Sequence, residues 1–265
     1  MTGRDSRNTF SILSRGLALA LALMLFEVQA QAQAQTKAPS SAPFVVSDAL
    51  CRTKNEFLKM DMPLPGFYLR MKGEEELRIL AVGSSSTQGH GASKPEYAYP
   101  AQLQKELQRV RPDISVNNIG VGGTVARDAV DQLRLQLPSW QPHLVIWQVG
   151  ANDAIRNVPL DEFESALNAG LNLLNEAGVE TVLMPPQYAP MVAESKGLLS
   201  YLETINAAGK LHSVAIFRRY DITKLADDGK GGMKAYLIDD GLHHNDLGYR
   251  CLAQQLAASL MGGFE

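Results

Sequence analysis

From Arg78 onward the chain alternates short apolar runs with stretches whose apolar residues recur every three or four positions. The runs RILAV (78–82), ISVNNI (114–119), LVIWQV (144–149), TVLM (181–184) and VAIF (214–217) read as strands. Most are nearly continuous in apolar residues, the pattern of strands covered on both faces, as in a parallel sheet. Between them, Leu103, Leu107 and Val110 share a helical face that starts near Pro100 and stops at Pro112. Phe163, Ala166, Leu167, Leu171 and Leu174 mark a second helix with Gly178 as its C-cap. A closing helix follows Asn245 as N-cap and buries Leu247, Cys251, Leu252, Leu256 and Leu260. Regular alternation of strand and helix predicts an α/β fold, a three-layer α/β/α sandwich around a parallel sheet. Ligands of such sheets bind at the carboxyl ends of the strands, so the segments just after each strand are the ones to read for chemistry.

The region before Arg78 has a different pattern. Arg4, Arg7 and Arg15 precede the apolar run GLALALALMLF, and small-residue cleavage sites follow in VQAQAQA, so residues 1–34 read as a secretory signal cut between Ala30 and Gln35. The run from Gly16 to Phe26 falls short of the roughly 20 residues a membrane-spanning helix needs. An exported protein, periplasmic or secreted and with no stable membrane insertion after cleavage, is expected. Residues 35–77 read as an N-terminal leader and extension, flexible in QTKAPSSAPFVV and with MPLPGF lying extended over the domain surface. Residues 78–265 form the domain, without an internal repeat.

Composition narrows the function classes. With 45% hydrophobic and 20% charged residues, the 265-residue chain can bury one substantial core. A net charge of −3 without a basic run argues against nucleic acid as the main partner. The two cysteines, Cys51 and Cys251, either pair, stapling the extension to the last helix, or stay as buried free thiols. No C-x-x-C or Cys/His cluster exists, so no zinc site, and no other metal or cofactor, is expected.

Four strand-end segments carry the candidate chemistry. Gly83-Ser84-Ser85-Ser86-Thr87-Gln88-Gly89 lacks both the lysine of a phosphate-binding loop and the G-x-G-x-x-G of a dinucleotide site, and GVGG at 120–123 has the same defect. Asn118 to Thr124 holds glycines that either let the backbone approach a ligand or serve a strand-to-helix turn. GAND (150–153) offers Asn152 and Asp153, and DDGLHHND sets Asp240 three residues before His243, a spacing that brings a carboxylate to an imidazole Nδ1–H.

Serine, glycine, asparagine and D-x-x-H in this order and context resemble the blocks of the GDSL or SGNH hydrolase family, over residues 78 to about 260. The family's G-D-S-x-x-x-G matches Gly83 to Gly89, which implies Ser85 as nucleophile. N-x-G-x-x-G matches Asn118 to Gly123, G-x-N-D matches Gly150 to Asp153, and D-x-x-H matches Asp240 to His243. The resemblance implies the family's flavodoxin-like five-stranded sheet and a Ser85–His243–Asp240 triad working through an acyl-enzyme. The oxyanion would be held by the N–H groups of Ser85 and Gly123 and the Asn152 amide. Ser84 stands where the family has Asp, and His244 where a proline commonly follows the catalytic histidine.

An exported esterase removing acetyl or other short acyl groups from carbohydrate or cell-envelope esters is therefore expected. Lipase, lysophospholipase or arylesterase activity is the nearest rival, and a catalytically silent carbohydrate-binding or envelope protein on the same fold is the other. Of the remaining histidines, His143 heads a strand and reads as structural, and His212 has no partner motif. His244 and Asp239 are rivals of His243 and Asp240 at less favourable spacing. Gln187 and Tyr188 either line the substrate pocket or pack on the surface, and Gln148 faces either the core or the site.

Overall fold

The computed structural model describes residues 46–227 and 232–262. The signal expected over residues 1–34, and the leader up to residue 45, lie outside the described residues. Five strands, β1 (Leu77–Val82), β2 (Ile114–Asn118), β3 (Leu144–Gln148), β4 (Glu180–Met184) and β5 (Ala215–Ile216), form one parallel sheet in the order β2-β1-β3-β4-β5. This is the flavodoxin-like order, in which the chain reverses its direction of travel across the sheet at the β1/β3 boundary.

The helices in chain order are α1 (Asn55–Leu58), α2 (Pro65–Met71), α3 (Ser85–Gln88), α4 (Tyr99–Gln108), α5 (Ala126–Trp140) and α6 (Ala151–Ile155). They continue as α7 (Leu160–Glu176), α8 (Pro190–Ala193), α9 (Leu198–Leu211), α10 (Arg219–Ala226) and α11 (Asp246–Met261). Alternating side chains of each strand feed two cores. Leu77, Ile79 and Ala81 of β1 join Ile146 and Val182 against α4 and α11, through Leu103, Leu107, Leu252 and Leu256. Leu80 and Val82 join Val145, Trp147 and Leu183 against α5, α7 and α9, through Leu133, Leu167 and Ile205. The near-continuous apolar runs of the sequence thus have a cause: each strand has a helical layer on both sides.

Most element ends agree with local chemistry. Asn245 caps α11 by accepting from the Gly248 N–H at 3.0 Å. Gly178, at φ +67, follows the end of α7. α4 ends at Gln108, so Val110 packs on the core from just beyond the helix.

One expectation fails. MPLPGF does not lie extended over the surface: α2 begins at Pro65, and Phe67 and Met71, four residues apart, are buried in the α4/α11 core. Pro65 supplies a pre-set φ at the first helical position, where its missing N–H costs nothing. The Glu180 carboxylate at the start of β4 accepts from the Gly66 N–H at 2.9 Å and the Phe67 N–H at 2.5 Å. A cap from a residue 114 positions away leaves no mark in the local sequence.

The last helix is buried at nearly every position after Arg250. One side faces the sheet and α4, and the other is closed by residues 46–51. Cys51 and Cys251 are joined by a disulfide. Around it the Gln255 amide donates to the Cys51 carbonyl at 2.8 Å, and Arg250 pairs with Asp48 at 2.8 Å. Among the described residues, no helix is long and apolar enough to cross a membrane.

Candidate active site

β1 ends at Val82, and the chain enters the single turn of α3 through Gly83 and Ser84, leaving through Gly89 at φ +102. Ser85 stands at the first position of that turn, at the carboxyl edge of the sheet beside the β1/β3 boundary. Gln148, the last residue of β3, is buried and lies under this turn. Its carbonyl oxygen accepts from the Ser84 N–H at 2.8 Å, the Ser84 hydroxyl at 2.9 Å and the Thr87 hydroxyl at 3.2 Å. The backbone N–H can only donate, which settles that the oxygen end of the Gln148 amide faces the turn. Asn118, at the end of β2, braces the other side. It donates to the Thr87 carbonyl at 2.8 Å and accepts from the Gly120 N–H at 2.9 Å.

Ser85 Oγ lies 2.7 Å from His243 Nε2, and His243 Nδ1 lies 2.6 Å from Asp240 Oδ2. The other Asp240 oxygen accepts from the Leu242 and His243 N–H groups, both at 2.9 Å. Burial pushes the Asp240 carboxyl up, but hydrogen bonds from the His243 ring and from these two N–H groups outweigh it, leaving it below its ordinary value. Asp240 is thus an anion at neutral pH, and its contact fixes Nδ1 as the protonated nitrogen, leaving the Nε2 lone pair towards Ser85. Gln187, in the loop three residues after β4, steadies the same segment by donating to the Leu242 carbonyl at 2.8 Å, and Tyr188 packs edge-on against Tyr220.

The expected oxyanion donors Ser85, Gly123 and Asn152 follow the carboxyl ends of β1, β2 and β3, which are neighbours in the sheet. Gly123 has φ +83, a conformation an L side chain adopts only with strain, and its missing side chain leaves room for Arg156, whose Nη2 would lie 2.7 Å from a Cβ there. Gly120 serves packing instead: a Cβ on it would come within 2.3 Å of the Gln88 nitrogen. The Asn152 amide donates one proton to the Thr124 carbonyl at 2.9 Å, leaving its second N–H for another acceptor. Asp153 is buried and accepts from the Ala126 N–H at 3.0 Å, so it anchors the start of α5. Burial raises its pKa, with the backbone bonds opposing.

Of the residues rivalling the triad positions, Asp239 is exposed, and the ion pair to His243 comes from Asp240 instead. His244 is buried and directs Nδ1 at the Tyr236 carbonyl, 3.2 Å away. His143 accepts from the Arg78 N–H at 3.1 Å, and His212 meets Asn168 at 2.8 Å. The sequence reading missed His90, whose ring stands edge-on to His243 at 4.4 Å between centroids. Its carbonyl accepts from the Tyr249 hydroxyl at 2.6 Å. A histidine directly after the glycine that closes the serine turn was the available signal. Among the described residues, His90, Asp240 and His243 are the group that could hold a metal ion, and a cation there would compete with Ser85 for His243.

A flavodoxin-like sheet with serine, imidazole and carboxylate aligned at its carboxyl edge defines the class: this is a carboxylesterase-type hydrolase of the GDSL/SGNH group. Within it, the chain belongs to the Non-GDSL lipase-like family, whose model matches residues 50–265. It is 23% identical over 199 residues to an arylesterase of Vibrio mimicus, covering 74% of this chain and 94% of that one. It is 24% identical over 169 residues to esterase TesA of Pseudomonas aeruginosa, covering 62% of this chain and 78% of that protein. Among solved structures, it is similar in fold to a two-domain esterase active on acetylated mannans, with TM-score 0.65 and 19% identity over 81% of this chain and 58% of that one.

Proposed function

We propose that this protein is an exported serine esterase that removes acetyl or other short acyl groups from carbohydrate or cell-envelope esters. The observation that carries the reading is the unbroken line from Ser85 Oγ through His243 to Asp240, with contacts of 2.7 and 2.6 Å. His243 Nε2 takes the Ser85 proton as Oγ bonds to the ester carbonyl carbon, and ionised Asp240 stabilises the imidazolium. The carbonyl oxygen becomes an oxyanion facing the Ser85 and Gly123 N–H groups and the second Asn152 N–H, each worth about 3 kcal/mol. Collapse breaks the bond to the alcohol, which leaves with the proton from His243. Water, deprotonated by His243, then attacks the acyl-enzyme and releases the acid.

The surroundings favour a small acyl group on a polar alcohol: Gln88, His90, Arg156 and Asp240 are exposed around Ser85. The likeness to the esterase active on acetylated mannans supports the same choice. The arylesterase relative favours a second reading, hydrolysis of short aryl esters by the same machinery. For export, support comes from the signal-like residues 1–34 and from a disulfide, a bond that persists in oxidising compartments.

An acyl-length series of p-nitrophenyl esters, followed by acetylated glycans, tests the proposal. Rates should be highest for acetate, and Ser85→Ala should lose at least about a thousandfold in kcat while Ser86→Ala keeps most of it. Because the base must be unprotonated, kcat/KM should fall on acidification. Turnover that survives in Ser85→Ala, or a rate that rises steadily with acyl length, would reject it.

A further inference from the structure

An arginine without a partner stands over the glycine expected to hold the oxyanion. Arg156 closes α6, the helix whose second residue is Asn152, and its N–H donates to the Asn152 carbonyl at 2.9 Å. Residues four apart share one face of a helix, so the Asn152 and Arg156 side chains leave α6 on the same side. From there the guanidinium crosses to the loop after β2, where its Nη2 would lie 2.7 Å from a Cβ on Gly123. That loop adjoins the nucleophile: a Cβ on Gly122 would lie 3.9 Å from Ser85 Cβ, and the Gly122 N–H donates to the Gln88 side-chain oxygen at 2.9 Å. The guanidinium is thus at the rim of the reaction centre.

Arg156 is exposed, and among the described residues its guanidinium has neither an ion pair nor a hydrogen bond. Asp240, Asp153 and Asp128, carboxylates of the same segments, are already engaged, by His243, the Ala126 N–H and the Val125 N–H. A guanidinium presents paired N–H donors in one plane, the match of a carboxylate or a phosphate. On the proposed reading the acyl group is short and carries no charge, so an anion that meets Arg156 belongs to the alcohol part of the ester.

We propose that Arg156 selects esters whose alcohol carries an anionic group, a carboxylate or a phosphate, and so directs the enzyme towards acylated acidic glycans. The inference rests on the proposed esterase function and names the substrate class within it. The anion is present before, during and after attack on the carbonyl, so its attraction to Arg156 acts on KM, while kcat stays with the triad. At an exposed position the pair remains partly solvated, which sets its effect at about three- to tenfold in kcat/KM.

Hydrolysis of 3-acetoxybenzoate and of its uncharged counterpart 3-acetoxybenzamide tests the proposal, with 3-acetoxyphenyl phosphate as a third ester. The ratio of kcat/KM for the carboxylate ester over the amide should fall about three- to tenfold from the native protein to Arg156→Met, through the KM of the charged ester. It should fall further in Arg156→Glu and recover in part in Arg156→Lys. In about 1 M sodium chloride the native ratio should approach that of Arg156→Met, which tests the same point without a variant. Whichever charged ester loses more on Arg156→Met identifies the anion as carboxylate or phosphate. Ratios that do not change in Arg156→Met, or a kcat that falls alike for all three esters, as an arginine acting on the oxyanion would give, overturn the proposal and leave the esterase function standing. A native protein that hydrolyses none of the three overturns both.

Discussion

Ser84 shows how one substitution in a motif is absorbed by its surroundings. The family's carboxylate position holds a hydroxyl here, 4% exposed, whose proton goes to the Gln148 oxygen. An aspartate at 84 would set a carboxylate against that oxygen, and turning the amide round would face its NH₂ towards the Ser84 N–H. Ser84→Asp should therefore cost about 1–3 kcal/mol in thermal unfolding and reduce kcat, while Ser84→Ala, which leaves the other two donors on Gln148, should keep most activity. A Ser84→Asp variant as stable and active as the native protein would remove Gln148 as the reason. The resemblance to the family could point to Ser85 because its distance to Gly89 is fixed along the chain, as is that from Asp240 to His243. The Gln148 acceptor was not legible, because it lies 64 residues from Ser84 and a glutamine at a strand end carries no sign of which way its amide will face.

At the scale of elements, periodicity located the five strands and the three helices it addressed to within a few residues, and missed α2. Its seven residues are too few for a periodic signal, and proline and glycine at its start read locally as loop. What makes it a helix is tertiary: Phe67 enters the core, and Glu180 caps its first two free N–H groups. Glu180→Ala should cost about 1–2 kcal/mol, with Glu180→Gln recovering part of it through its remaining acceptor. Denaturant titration measures both, and ester hydrolysis should be unchanged, since Glu180 is at the amino end of β4, away from the site. Similarly, β5 is only Ala215–Ile216, short of the four apolar residues that suggested it, because an edge strand needs backbone pairing on one side alone.

At the scale of the molecule, two devices set stability. The disulfide closes a separation of 200 residues, and its removal in Cys51→Ala/Cys251→Ala should cost about 2–5 kcal/mol in denaturant unfolding. Unfolded, unreduced protein should titrate no free thiol. The second device is His244, with a folded pKa of about 3 against about 6.5 for an unfolded histidine. Between those values the unfolded chain binds a proton that the native one refuses, so this contribution is fully present above about pH 6.5 and is lost at about 1.4 kcal/mol per pH unit below it. His143, lowered by its own burial, acts in the same direction. Asp240, lowered instead, loses its contribution only as pH falls through the carboxylate range. The slope of stability between pH 7 and 5 should therefore flatten in His244→Gln, and an unchanged slope would place His244 in water. By itself the sequence determined the layered α/β plan and the order of the strand-end blocks, and through its resemblance to the family it pointed to Ser85, His243 and Asp240, because these depend on periods and spacings along the chain. Only the tertiary structure decided that α2 is a helix, which end of Gln148 holds the serine turn, that His90 stands against His243 and that Arg156 lies over Gly123. Each of these depends on groups brought together from distant parts of the chain, where packing and the cost of burying polar groups, rather than local preference, choose the outcome.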